Sequence, residues 1–125
     1  DQSAVTLLTI EPSRLPTAES FTRLEDQALA AQKLRATAVR RILGIERAGT
    51  VTFLVLEPAE GPSLLDLLRS RRALPLAEAL PVLRELAAAF DEMHAAGLPC
   101  PDLTSHEIVL AGQPPVPKFL PIELA

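Results

Sequence analysis

Twelve of the 125 residues are proline, and their placement limits the fold more than any other feature. Proline locks φ and lacks an N–H, so it belongs at the ends of helices, on sheet edges and in turns. The usual share is roughly 5%, about half of what this chain carries. The prolines gather at Pro12 and Pro16, Pro58 and Pro62, Pro75 and Pro81, Pro99 and Pro101, and again from Pro114 to Pro121. Regular elements therefore have to fit between these points. With 48% apolar and 22% charged residues, the intervening stretches suit one soluble globular domain.

Ala4–Ile10 is a β-branched apolar run stopped by Glu11 and Pro12, and it predicts a buried strand. Thr17 can cap a helix running to Leu34, in which Phe21, Leu24, Ala28, Ala31 and Leu34 form one apolar stripe. Val39–Glu46 and Val51–Glu57, joined by Arg47-Ala48-Gly49-Thr50, predict an antiparallel hairpin. Residues 58–62 are a connector. Ser63 opens a short helix to about Arg71, with Leu64, Leu65, Leu67 and Leu68 inward. The longest helix spans Ala77–Ala96 and ends at Gly97. Leu80, Leu83, Leu86, Ala87, Phe90, Met93 and His94 mark its apolar face, and Pro81 removes one donor near its start. Two short apolar runs follow, Ile108–Ala111 and Val116–Leu120. The expected class is α+β.

Several functions are disfavoured by composition. A net charge of −4 and a pI near 5.1 do not provide the basic face that nucleic acid requires. Four phenylalanines with no tyrosine or tryptophan leave little on which bases could stack. One cysteine cannot form an internal disulfide, which fits a reducing, cytoplasmic compartment. No apolar run reaches the length of a membrane span, and no signal-peptide pattern opens the chain. A start at Asp1 is what a trimmed chain would show.

The order of elements, with several strings, resembles the middle of a protein-kinase domain of the bacterial Ser/Thr type. Phe53-Leu54-Val55-Leu56-Glu57, followed by Glu60-Gly61-Pro62-Ser63-Leu64, is similar to the last N-lobe strand and hinge. Leu74-Pro75-Leu76-Ala77-Glu78-Ala79-Leu80 and His94-Ala95-Ala96-Gly97-Leu98 resemble the two ends of the long C-lobe helix. Asp102-Leu103 follows at the distance of the catalytic loop, and the stretch from Lys118 to Ala125 resembles the opening of the activation segment. The resemblance implies a truncated kinase-like fold: a small antiparallel sheet with one helix over residues 1–57, a hinge at 58–62, and a helical part with a terminal β-hairpin over 63–125.

Phosphoryl transfer works by positioning and charge neutralisation, so a kinase needs a Lys–Glu pair and metal ligands. At the matching positions the chemistry is missing. Leu8, in Val5-Thr6-Leu7-Leu8, stands where the phosphate-holding lysine belongs, and Gln27 stands for its glutamate partner. The His-Arg-Asp motif reads Cys100-Pro101-Asp102; Thr104 and Glu107 replace the catalytic-loop lysine and metal-binding asparagine; Pro121-Ile122-Glu123 replaces Asp-Phe-Gly. The resemblance puts the glycine-rich phosphate loop ahead of residue 1. Ala31, Cys100 and Ile122 match apolar positions that link the lobes. The resemblance implies that Thr6 narrows the adenine pocket, that Leu56 is the gatekeeper, and that the backbones of Glu57 and Ala59 face the base. A weak nucleoside site is compatible with this pattern; a phosphate site is not.

Asp102 can be read as a residual general base or as a carboxylate shaping its loop through backbone donors, and the second role is expected. Cys100 and His106 lack the ligand spacing of a zinc site, and no metal or other cofactor is expected. His94 is expected to be a hydrogen-bonded structural histidine, and Glu107 and Glu123 solvated carboxylates. Arg69, Arg71 and Arg72 can serve an acidic partner or the helix dipole. Pro114, Pro115 and Pro117 can form a polyproline ligand or a stiff loop. An apolar face of Leu80, Leu83, Leu86 and Phe90, left partly uncovered, points to a protein partner or a homodimer. The expected function is a catalytically inactive kinase-like domain acting as a scaffold or allosteric regulator; the alternative is a ligand-sensing domain with a rearranged, weak adenine site.

Overall fold

The computed structural model describes residues 4–99, 101, 103–112 and 114–122. Strand β1 (Thr6–Ile10) is followed by a single 3-10 turn (Pro12–Arg14) and helix α1 (Ala18–Ala31). Strands β2 (Ile42–Ala48) and β3 (Val51–Leu56) form the expected hairpin. Helices α2 (Leu64–Arg71) and α3 (Leu76–Ala95) come next, then a hairpin of β4 (Val109–Ala111) and β5 (Val116–Lys118). The fold is α+β: the described residues form a three-stranded antiparallel sheet in the order β1-β3-β2, a two-stranded sheet, and three α-helices.

Strand β1 departs from the buried strand expected. It pairs only with β3, and its side chains alternate, with Leu8 and Ile10 turned inward and Leu7 57% exposed. A sheet with one covered face buries only every second side chain, whatever the composition of the strand.

Thr17 caps α1 by accepting from the Ser20 N–H at 3.0 Å. The helix stops at Ala31, short of the predicted end, yet Leu34 remains buried because a turn carries it back to the core. Arg47 lies 4.6 Å from the centre of the Phe21 ring, a cation–π contact between β2 and α1.

The predicted start of the second strand, Val39–Arg41, is taken by a different partner. Phe119 N–H donates to Ala38 O and Arg40 N–H donates to Phe119 O, both at 2.9 Å, so this segment runs beside the residue after β5. A register irregularity between Ile42 and Gly44 then turns the chain into β2 proper.

Ser63 and Asp66 form a reciprocal capping box at the start of α2. Its leucines are half-buried, not fully enclosed. Helix α3 accommodates Pro81 in its second turn, and it ends in a Schellman motif. There Gly97, at φ +73°, donates to His94 O and Leu98 donates to Met93 O.

The face that α3 buries is offset from the predicted one. Val82, Leu86, Ala89 and Met93 are buried, and Phe90 is half-buried against Phe119 with ring centroids 5.3 Å apart. Leu80, Leu83 and His94, which the sequence places on the apolar face, are exposed. Both readings satisfy helical spacing, because α3 is apolar on more than one side. Docking onto β5 and the sheet selects between them.

One continuous apolar cluster joins Ile10, Leu54 and Leu56 of the sheet to Ala89 and Met93 of α3 and Phe119 beyond β5. Carboxylates of α3 also hold the loop that follows α1. Glu92 Oε1 accepts from the N–H groups of Arg35 (2.8 Å) and Ala36 (3.0 Å), and Thr37 Oγ1 bonds Glu85 Oε2.

Candidate functional site

Of the positions singled out as degenerate, Leu8, Gln27, Thr104, Glu107 and Pro121 lie among the described residues. Leu8 sits mid-way along β1, opposite Leu54 of β3, and its half-buried side chain packs against the core cluster. Gln27 is half-buried on α1. Leu56 is buried at the end of β3, opposite Thr6, and Ala31, Pro121 and Ile122 are buried as well. Cys100, Asp102 and Glu123 lie outside the described residues.

Thr104 and Glu107 are exposed and satisfy each other. Thr104 Oγ1 donates to Glu107 Oε1 at 3.1 Å, the Thr104 N–H approaches the same oxygen at 3.4 Å, and the Glu107 N–H donates to Thr104 O at 3.0 Å. Glu107 is thus a local loop cap. Among the described residues no group of three or more His, Cys, Asp or Glu side chains is placed to hold a metal ion.

At the expected nucleobase edge, Glu57 makes several bonds within the protein. Its N–H donates to Arg41 O, and its carbonyl already accepts from Arg40 Nε, each at 3.0 Å. Its carboxylate accepts from the Arg41 N–H at 3.0 Å and from Lys118 Nζ at 3.3 Å. Burial pulls the Arg40 guanidinium below its usual pKa, and the neighbouring Glu57 carboxylate opposes that shift. The guanidinium stays cationic at neutral pH, so its bond to the carbonyl is charge-assisted. Of the two hinge residues named from the sequence, Glu57 thus has its carbonyl bonded to Arg40 through one of its two lone pairs. Ala59 is half-buried.

The arginine cluster and the late prolines also find places. Arg71 pairs with Glu78 across the turn from α2 to α3 at 2.6 Å, with both side chains well exposed. Arg69 and Arg72 are exposed, and Arg72 ends α2 with φ +64°. Pro117 is buried inside β5, whereas Pro114 and Pro115 are exposed.

Several of these residues border a cavity of about 690 Å³. Glu60 and Pro62 of the connector, Arg71 of α2, Pro81 of α3 and Pro114 and Pro115 of the β4–β5 turn line it. Sequence reasoning did not find it. Its walls come from chain segments far apart in sequence, and the prolines that several of them share are its only linear trace.

The four residues expected at an interface divide. Leu80 and Leu83 are 37% and 58% exposed, whereas Leu86 is buried and Phe90 is stacked on Phe119. Leu76, 71% exposed, completes an outward stripe that the sequence reading missed because it placed the helix start one residue later.

No known family profile matches the chain, and no curated protein matches it. Its fold, however, is shared with solved structures. The Mycobacterium tuberculosis PknI kinase domain superposes over 100% of this chain and 51% of its own length, with a TM-score of 0.83 at 17% identity. A variant of that domain carrying a cysteine-to-alanine change matches over 95% of this chain and 49% of its own length, with a TM-score of 0.80 at 19% identity. The chain thus has a protein kinase-like fold and spans about half the length of the kinase domains it matches. Among the described residues no helix is long and apolar enough to cross a membrane.

Proposed function

We propose that this kinase-like chain transfers no phosphate and acts through protein–protein contacts, as a scaffold or an allosteric regulator in the cytoplasm. The observation that carries the reading is Leu8. Where the kinase resemblance calls for a phosphate-holding cation, an apolar side chain packs against the core cluster. Gln27 and Pro121 add the loss of the cation's carboxylate partner and of a metal ligand at the matching positions. Charge stabilisation is usually the largest part of phosphoryl-transfer catalysis, and these substitutions remove it. The expected result is no saturable binding of Mg-ATP in calorimetric titration up to millimolar nucleotide. Saturation at micromolar concentration overturns the proposal.

For the adenine-sensing alternative, Arg40 is a competitor at the Glu57 carbonyl, to which it is already bonded. For the contact surface, the outward stripe of Leu76, Leu80 and Leu83 replaces the face named from the sequence. A second copy of the chain or another protein would meet it there, and nucleic acid is not the proposed partner.

Restoring the missing charges does not restore the activity. Leu8→Lys together with Gln27→Glu is expected to give no phosphate transfer in a radiolabel assay. Placing an ammonium at the half-buried Leu8 site costs about 2 kcal/mol or more if the pair fails to form. Transfer by the double variant would show that the site was only two substitutions from function.

A further inference from the structure

We infer that residues 57–64 are a fixed strut and not a hinge, because both ends of this connector are stapled to the β4–β5 hairpin. At the first end stands Glu57. Its carboxylate binds Lys118 of β5 and the Arg41 N–H, and its carbonyl holds Arg40. The next residue after β5 continues the join: Phe119 N–H donates to Ala38 O, and Arg40 N–H donates to Phe119 O. At the other end, Leu110 N–H of β4 donates to Pro62 O at 2.9 Å, and Leu64 N–H donates to Ile108 O at 2.8 Å.

One short hairpin is therefore bonded to the connector on both sides of residues 58–61. A hinge has to absorb φ/ψ change in a few residues while little else breaks. Here Pro58 and Pro62 restrict φ within the segment, and rotation would have to break the bonds at one end of it or the other. The ionic members are partly shielded, with side-chain exposures of 20% for Lys118 and 27% for Glu57, so salt screens them less than a surface pair. Glu92 and Glu85 of α3 add a further tie to the loop after α1. The sheet and the helical part are held in one relative orientation, and any partner meets a preformed surface. This inference goes beyond the functional proposal and does not depend on it.

Amide hydrogen exchange on the full chain, followed by NMR, tests it. In the wild type the Arg40, Phe119 and Leu110 amides are expected to be protected to the same degree as Leu54 in the central strand. Glu57→Ala is expected to speed exchange at Arg40, Arg41 and Phe119 by about tenfold or more while leaving Met93 unchanged. Spin labels at exposed Glu46 and Asp91, in a Cys100→Ser background, supply a second readout. A single narrow distance distribution is expected. Loop-like exchange at Arg40 and Phe119 in the wild type, a broad or two-peaked distance distribution, or unchanged exchange in Glu57→Ala overturns the inference. The wild-type measurements decide it even if the variant fails to fold.

Discussion

Leu86→Glu is expected to unfold the chain, whereas Leu83→Glu, three residues earlier on the same helix, leaves it folded. Leu86 belongs to the core cluster, and Leu83 is more than half exposed. Removing a buried leucine costs about 2–5 kcal/mol, and forcing a carboxylate into its place adds a desolvation penalty. That is a large share of the stability of a small domain, about 5–15 kcal/mol in total. An exposed substitution stays within about 0.5 kcal/mol. Urea denaturation followed by circular dichroism separates the two: Leu83→Glu keeps its midpoint, and Leu86→Glu has no folded baseline. Equal loss from both variants would mean that α3 is rotated from the orientation described. Phe90→Glu should follow Leu86→Glu in direction, since it would break the stack on Phe119.

The second large effect is expected at Gly61. A Cβ added there would lie 1.9 Å from the backbone oxygen of Leu110 and 2.9 Å from its carbonyl carbon. Neither atom can swing aside like the tip of a side chain, because the neighbouring Leu110 N–H is bonded to Pro62 O. Gly61→Ala therefore has to separate the connector from β4. The loss should be about 3 kcal/mol or more, at the upper end of what overpacking costs. A thermal melt reads it. Gly49→Ala is the control for replacing a glycine that touches nothing: an added Cβ would meet no atom within 4 Å, and only its φ of +64° opposes the change. A Gly61→Ala variant as stable as the wild type would show that connector and hairpin are not in contact.

The local elements were legible because each has a local cause. Thr17 and Ser63 supply caps, Gly97 supplies the left-handed residue of a Schellman motif, and Gly49 lies at the turn between β2 and β3. The boundaries shifted where a distant segment competed for the same backbone groups. The sequence predicts the second strand from Val39, but Phe119 takes the hydrogen bonds of Ala38 and Arg40, and β2 begins only at Ile42. Strand composition likewise could not tell that β1 would have one side exposed, because that depends on what covers the sheet.

The candidate site divides along the same line. That Leu8, Gln27 and Pro121 stand where the kinase resemblance expects charged groups is read from the sequence and that resemblance, and it carries the proposed loss of phosphoryl transfer without any coordinates. That Glu57 would be bonded to Arg40, Arg41 and Lys118 is different in kind. Lys118 is far away in the chain, and no periodicity or propensity couples it to a residue at the end of β3.

Sequence alone determined the α+β class and the order of elements, because proline spacing, caps and apolar periods act over a few residues. Only the tertiary structure decided which side of α3 is interior, that 57–64 is stapled at both ends, and that prolines from three segments border one cavity. Two helix faces of nearly equal apolarity differ little in free energy until a partner surface is present. The packing of Met93, Phe90 and Phe119 supplies that difference.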